Sequence, residues 1–221
     1  MLILGIDDAG RGPVIGPMIL AGVLINKDNE KEFAKLDIKD SKKVHPSKRW
    51  LLDKEIKSKA IDYHIVKISV DEIDDKNKDG LNLNQREAIA AAMIINKLNH
   101  RKESLKVVID CPSVNLASWK EYLEKFVTSI SNISIVCEHK ADENHLSVSA
   151  ASILAKEQRE QEIKDLKKKF NVDFGSGYSS DPKTRNFIYE NYEEFKDKGL
   201  FRESWGTIKK HKSYKTQKKL F

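Results

Sequence analysis

Two apolar runs that stop on carboxylates constrain this chain more than any other feature of it. Leu2-Ile3-Leu4-Gly5-Ile6 runs into Asp7 and Asp8, and Leu105-Lys106-Val107-Val108-Ile109 runs into Asp110. Short apolar runs bounded by turn formers read as buried strands. Met18 to Ile25 and Ile133 to Glu138 read the same way, and Ile61 to Val70, which mixes β-branched and polar residues, reads as a further strand. Helical spacing falls between them: Leu83 to Leu98, with Ala88, Ala91, Ala92, Ile95 and Leu98 on one face; Asn115 to Phe126; and a long helix from about Ser147 to Phe170. The order β-β-β-α-β-α-β-α predicts an α/β fold in which helices cover a mixed sheet.

The 221 residues, 39% of them hydrophobic, suffice to close a core that buries roughly 70% of the unfolded surface. Uninterrupted apolar stretches such as Ala88 to Ile95 are too short to span a bilayer, so no membrane association is expected. The start, Met1 to Asp8, has no basic region and no cleavage pattern, and it reads as a strand rather than a signal peptide. Two cysteines, Cys111 and Cys137, make no disulfide framework; buried thiols in a reducing cytoplasm are the expectation.

After Phe170 the character changes. Gly175-Ser176-Gly177-Tyr178-Ser179-Ser180-Asp181-Pro182 is dense in turn formers, and short helical pieces are expected around Lys183 to Tyr192 and Tyr192 to Lys198. Residues 1–174 are thus read as the core and 175–221 as a small helical segment ending in a basic tail. The net charge is +6, and six lysines without an acid lie between Gly206 and Phe221, so the rest of the chain is balanced, 34 basic to 34 acidic residues.

If the strands ending in Asp7-Asp8 and in Asp110 are neighbours, three carboxylates converge at the edge of the sheet where ligands of α/β folds collect. Acids at strand ends also solvate turns, and Asp142, in His139-Lys140-Ala141-Asp142, is as readily a helix cap as a fourth member. An all-oxygen cluster suits Mg²⁺ or Mn²⁺ over zinc and hints at metal-assisted phosphoryl chemistry. Gly10-Arg11-Gly12-Pro13-Val14-Ile15-Gly16 fits neither a dinucleotide fingerprint nor a phosphate loop, yet a glycine turn lets backbone groups approach a ligand closely. Asp40-Ser41-Lys42-Lys43, ahead of Pro46 at a helix start, offers hydroxyl and ammonium groups to phosphates, or is a solvated loop.

Taken together, Gly5 to Pro17, Asp40-Ser41-Lys42, Val107 to Asp110, His139 to Asp142, Ser149 to Lys156, and Gly175 to Tyr178 with Asp181-Pro182 resemble, in order, the motifs of ribonuclease HII of the archaeal type. The resemblance runs over nearly the whole length. It implies a ribonuclease H-like mixed five-stranded sheet flanked by helices, with a C-terminal helical segment closing over the substrate. It also implies an endonuclease, a monomer, that hydrolyses the phosphodiester 5′ of a ribonucleotide in RNA/DNA hybrids or of a single ribonucleotide embedded in duplex DNA. By the same resemblance Asp7, Asp8, Asp110 and Asp142 would hold two Mg²⁺ or Mn²⁺ ions and carry the catalysis. Gly10, Arg11 and Gly12 would contact the 2′-hydroxyl, Lys42 a phosphate, and Tyr178 the neighbouring deoxyribose. The family usually has Glu where this chain has Asp8, which is shorter by about 1.5 Å. Rival readings are an impaired nucleic-acid-binding module on the same scaffold, and an enzyme like ribonuclease HIII that needs several successive ribonucleotides.

The last residues carry one more signal. Gln217 followed by Leu220 and Phe221 resembles the short peptide that docks as one helical turn on the replication sliding clamp. A plain basic tail attracting phosphates is the alternative.

Overall fold

The computed structural model describes residues 1–36, 38, 46–74, 80–100 and 103–218. Lys42 and its neighbours, and Leu220 and Phe221, lie outside them; Gln217 is described only as part of a helix.

Five strands form one sheet in the order β3-β2-β1-β4-β5: β1 (Leu2–Ala9), β2 (Met18–Ile25), β3 (Asp62–Ile68), β4 (Leu105–Asp110) and β5 (Ile133–Glu138). β1 runs antiparallel to β2 and parallel to β4, and β4 runs parallel to β5. The mixed sheet expected from the alternating pattern is therefore present. Every residue of β2 is buried, as its unbroken apolar sequence requires of a strand covered on both faces.

The described helices are α1 (Lys27–Lys35), α2 (Pro46–Lys59), α3 (Val70–Asp74), α4 (Leu83–Leu98), α5 (Leu116–Glu124), α6 (Ala141–Asn144), α7 (Leu146–Phe170), α8 (Pro182–Phe195) and α9 (Gly206–Lys218). The expected chain order left out a helical pair between β2 and β3. Of the nine residues of α1 Phe33 alone is buried, so one apolar anchor marks its inner face, and the start signal is the reciprocal cap between Asn26 and Asn29. In the segment expected as two pieces, one helix runs through to Phe195. Phe187, Ile188, Tyr192 and Phe195 are its buried stripe, capped by Asp181 ahead of Pro182. The lysine-rich end is helical through Lys218.

The chain divides into two compact units. The first comprises residues 1–9, 19–67 and 82–158, and holds the sheet. Its core packs Ile19, Ala21, Val23 and Ile25 of β2 against Ala150, Ala151, Ile153, Leu154 and Ala155 of α7, together with Phe33 and Ile56. The first ten residues of α7 are all buried, which explains their small and apolar composition. The second unit comprises residues 10–18, 68–81 and 159–221. Its core is aromatic: the Phe187 ring lies 5.9 Å from Phe174, 5.6 Å from Phe195 and 6.1 Å from Phe201. Val14 and Ile15 join that core, and Ile15 bridges Phe201. Among the described residues no helix is long and apolar enough to cross a membrane.

Candidate active site

Asp7 and Asp110 each follow the last paired positions, Ile6 and Ile109, of two parallel neighbours, so the ladder itself carries both carboxylates to the same end of the sheet. Asp142 arrives by a different route. Beyond β5 the backbone turns at Lys140, which adopts the left-handed conformation (φ 58°), and starts α6, whose second residue is Asp142. The turn is tied to the sheet by the Ala141 N–H, which donates to Asp110 Oδ1 at 3.3 Å. α7 follows at once. A Cβ on Gly5 would lie 2.2 Å from the Ser147 carbonyl carbon, so the bare backbone of β1 lets the first turn of α7 close onto it. Ser149 then donates to the carbonyl of Asp142, and Ser152, one turn later, to the Asp7 side chain.

Carboxylate oxygens of Asp7, Asp110 and Asp142 lie within 4.8 Å of one another. Asp7 and Asp142 are buried and Asp110 is half-buried. Asp8 stands outside this close group, since consecutive strand side chains leave opposite faces. It lines a small cavity with Asp7, Asp110, Trp119 and the buried Glu87 of α4. Burial first, then the charges of Asp8 and Asp110, push the Asp7 carboxyl well above its ordinary value of 3.8; Ser152 and the Asp8 N–H pull the other way. Three converging oxygens with neither sulfur nor imidazole among them fit a hard divalent cation, whose charge would relieve this repulsion.

Cys111 is a buried thiol and Cys137 a half-buried one, both free. The hydrogen bond with Cys111, and then burial, push the Cys137 thiol up, so Cys137 gains no nucleophilic character here. His139 Nδ1 lies 3.1 Å from the Cys111 carbonyl, and His145 Nε2 lies 3.0 Å from Glu138 Oε2.

In the second unit the glycine turn and Tyr178 belong to one surface. A Cβ on the exposed Gly12 would meet Tyr178 Cε1 at 3.8 Å. Tyr178 is 38% exposed, and the Arg159 guanidinium lies 5.0 Å from its ring centre. Arg159 Nη2 also donates to the Ser176 carbonyl, and burial lowers its pKa. Gly10 has φ +87° and no room for a side chain, with Arg159 Cδ 2.5 Å from where its Cβ would be. Behind the turn lies Arg202, fully buried. Arg159, Arg202, Glu87 and Ser152 were not readable as site residues in the sequence. Their roles depend on burial, and a buried Arg or Glu looks like a surface one until its partners are known.

A family model described as Ribonuclease HII matches residues 4–208. The chain is 37% identical over 219 residues to the ribonuclease HII of Methanobrevibacter smithii, covering 96% of this chain and 99% of that one. Among solved structures it is similar to ribonuclease H2 from Pyrococcus horikoshii OT3, with a TM-score of 0.85 at 32% identity over 97% of this chain and 98% of that one. It is also similar to a chain of the PCNA:RNase HII complex from Archaeoglobus fulgidus, with a TM-score of 0.80 at 36% identity over 93% and 95% of the two chains. Likeness of sequence and of fold over nearly the full length of each partner, together with an acidic centre suited to a divalent cation, makes this chain a member of the ribonuclease HII family, an endonuclease of the hydrolase class.

Proposed function

We propose that this endonuclease cuts on the 5′ side of a ribonucleotide, in RNA/DNA hybrids and at a single ribonucleotide embedded in duplex DNA, leaving 3′-hydroxyl and 5′-phosphate ends. The observation that carries the reading is the meeting of Asp7, Asp110 and Asp142 within 4.8 Å at the end of the sheet. Two Mg²⁺ or Mn²⁺ ions are the cofactors, held by these three carboxylates with Asp8 contributing from the rim. The chemistry supplied at such a centre is Lewis acidity, toward the attacking water and toward the leaving 3′-oxygen. The chain's part is to hold the acids in place: Ser152 orients Asp7, the Ala141 N–H orients Asp110, and Ser149 fixes the turn that bears Asp142.

Substrate recognition falls to the Gly10-Arg11-Gly12 turn, which touches the 2′-hydroxyl, and to Tyr178, which stacks on the adjacent deoxyribose. Lys42 holds a phosphate, and residues 175–221 close over the duplex. The enzyme acts as a cytoplasmic monomer, and its C-terminal Gln217, Leu220 and Phe221 bind the replication sliding clamp; the PCNA complex of the Archaeoglobus relative supports that partner.

The test is cleavage of a duplex carrying one ribonucleotide, with Mg²⁺ and Mn²⁺ side by side. A single cut 5′ of the ribose, abolished by chelator, is expected. Binding without cleavage under both ions would favour the impaired binding module, and cutting restricted to runs of ribonucleotides would favour the ribonuclease HIII-like reading. Tyr178→Ala should slow cutting at a lone ribonucleotide by about tenfold more than cutting of continuous RNA, taking ~1–3 kcal/mol for an aromatic stack. Equal losses would reduce Tyr178 to a loop anchor.

A further inference from the structure

Arg202 is fully buried, and its guanidinium is spent on the carbonyls of the glycine turn. Nη2 donates to Gly10 at 2.6 Å, Nη1 to Arg11 at 2.9 Å and Nε to Gly16 at 2.8 Å. Three residues on, Trp205 places its ring 5.0 Å from that guanidinium and donates Nε1–H to Gly12 at 3.3 Å. Each residue of Gly10-Arg11-Gly12 thus has its carbonyl held from behind.

The turn needs holding. Gly10 and Gly16 both adopt positive φ, where glycine has no side chain of its own to fix the backbone. The rear of the loop is already secured by backbone bonds, from Val14 and Ile15 to the Gly177 carbonyl and from Gly16 to the Leu200 carbonyl. Two of the three bonds from Arg202 go instead to the front, where Gly12 is exposed beside Tyr178. A planar guanidinium presents donors at fixed angles, and charge-assisted bonds are roughly twice as strong as neutral ones.

We infer that Arg202, seconded by Trp205, is a positioning residue for ribose selection: it sets the attitude of the turn that reads the 2′-hydroxyl. The inference rests on the reading of that turn given under Proposed function. A lone ribose offers one hydroxyl in one register, so a loosened turn misses it, whereas a continuous RNA strand offers a hydroxyl at every step.

The experiment measures kcat, KM and melting temperature for Arg202→Lys, Trp205→Phe and Gly12→Ala, on a duplex with one ribonucleotide and on a continuous RNA/DNA hybrid. Misplacement by an ångström can cost about a hundredfold in rate. Arg202→Lys is therefore expected to lower kcat at the lone ribonucleotide about 30- to 100-fold, with KM within about threefold and the hybrid rate within about fivefold. Trp205→Phe keeps the ring and loses the donor; it is expected to show the same selectivity at about three- to tenfold, and it serves if the lysine variant fails to fold. Equal losses on both substrates that track a fallen melting temperature would overturn the inference, as would an Arg202→Lys enzyme that behaves like the parent. Gly12→Ala separates the two readings, because its added methyl meets ordinary contact within the protein. If Gly12→Ala cuts a lone ribonucleotide normally, the turn does not face the ribose and the reading of the turn itself fails. If Gly12→Ala is slow and Arg202→Lys is not, the inference about Arg202 alone fails.

Discussion

Asp7 bears the electrostatic cost of gathering acids in one place. Its carboxyl is held well above 3.8 by burial and by Asp8 and Asp110. The sign follows from proton counting: between 3.8 and the raised value the folded chain keeps a proton that the unfolded chain has released, so stability falls as pH rises through that window. Stripped of divalent ions, the parent should lose melting temperature relative to Asp7→Asn as pH rises from the acid edge of that window to neutrality, and Mg²⁺ should recover the difference. Asp7→Asn is expected to flatten this dependence, to lose the stabilisation by Mg²⁺ and to cut at least about a hundredfold more slowly, with an unchanged circular dichroism spectrum. A variant that loses its fold along with its activity would give Asp7 a structural role. Asp8 presents a different case. It lies outside the close group of three, and restoring a reach longer by about 1.5 Å in Asp8→Glu should shift the ratio of Mg²⁺- to Mn²⁺-supported rates, since Mg²⁺ tolerates distorted geometry poorly. An unchanged ratio would show that backbone adjustment already compensates. At this scale Asp7, Asp8 and Asp110 could be read in the sequence because strand ends announce themselves, whereas Asp142, at a helix start, read as readily as a cap. Arg202 could not, because nothing in Phe201-Arg202-Glu203 says that the middle side chain points inward.

Elements fix how accurately those residues meet. β1 and α7 approach backbone to backbone at Gly5, and Ser152 reaches Asp7 from the helix so placed. Gly5→Ala would drive a methyl into the Ser147 peptide, and it is expected to cost more than the usual ~1 kcal/mol of a single substitution and to slow cutting without touching any acid. Calorimetry with a cleavage assay would check both. α8 depends on its start. Asp181 accepts from the N–H and the hydroxyl of Ser176 and from the Lys183 N–H, which hold its carboxyl down to about 2. That contribution is fully present above the ordinary 3.8 and is lost as pH falls through about 2. Asp181→Ala should therefore melt earlier than the parent at neutral pH, and the gap should close once the pH falls below about 2, as followed by circular dichroism. The strands and α4, α5 and α7 were legible from apolar spacing. For α2 only the start at Pro46 was legible, and α1 was missed because its one buried residue, Phe33, sits among charged neighbours.

At the scale of the whole molecule, charge is unevenly spread. Six lysines follow Gly206, and three of them, Lys209, Lys210 and Lys212, lie in the part of α9 whose side chains are described. Lys212 is already engaged, 2.6 Å from Glu203, whereas Lys209 and Lys210 are exposed. Replacing those two with Gln should reduce the slope of log KM against log salt by at most about 2, roughly one unit for each phosphate that a lysine no longer neutralises. Deleting residues 217–221 should leave cutting of short duplexes within about twofold and abolish clamp capture at physiological salt; clamp binding by the shortened chain would refute the peptide reading. Sequence order adds a consequence of the Arg202 clamp. The carbonyls of Gly16, Arg11 and Gly10 that its guanidinium holds lie 186, 191 and 192 residues before it in the chain. A nascent chain that has just released Asp142 owns every acid of the centre about sixty residues before the turn can be secured. A chain that stopped between those points would carry the acids but lack the residue inferred to set the ribose-reading turn.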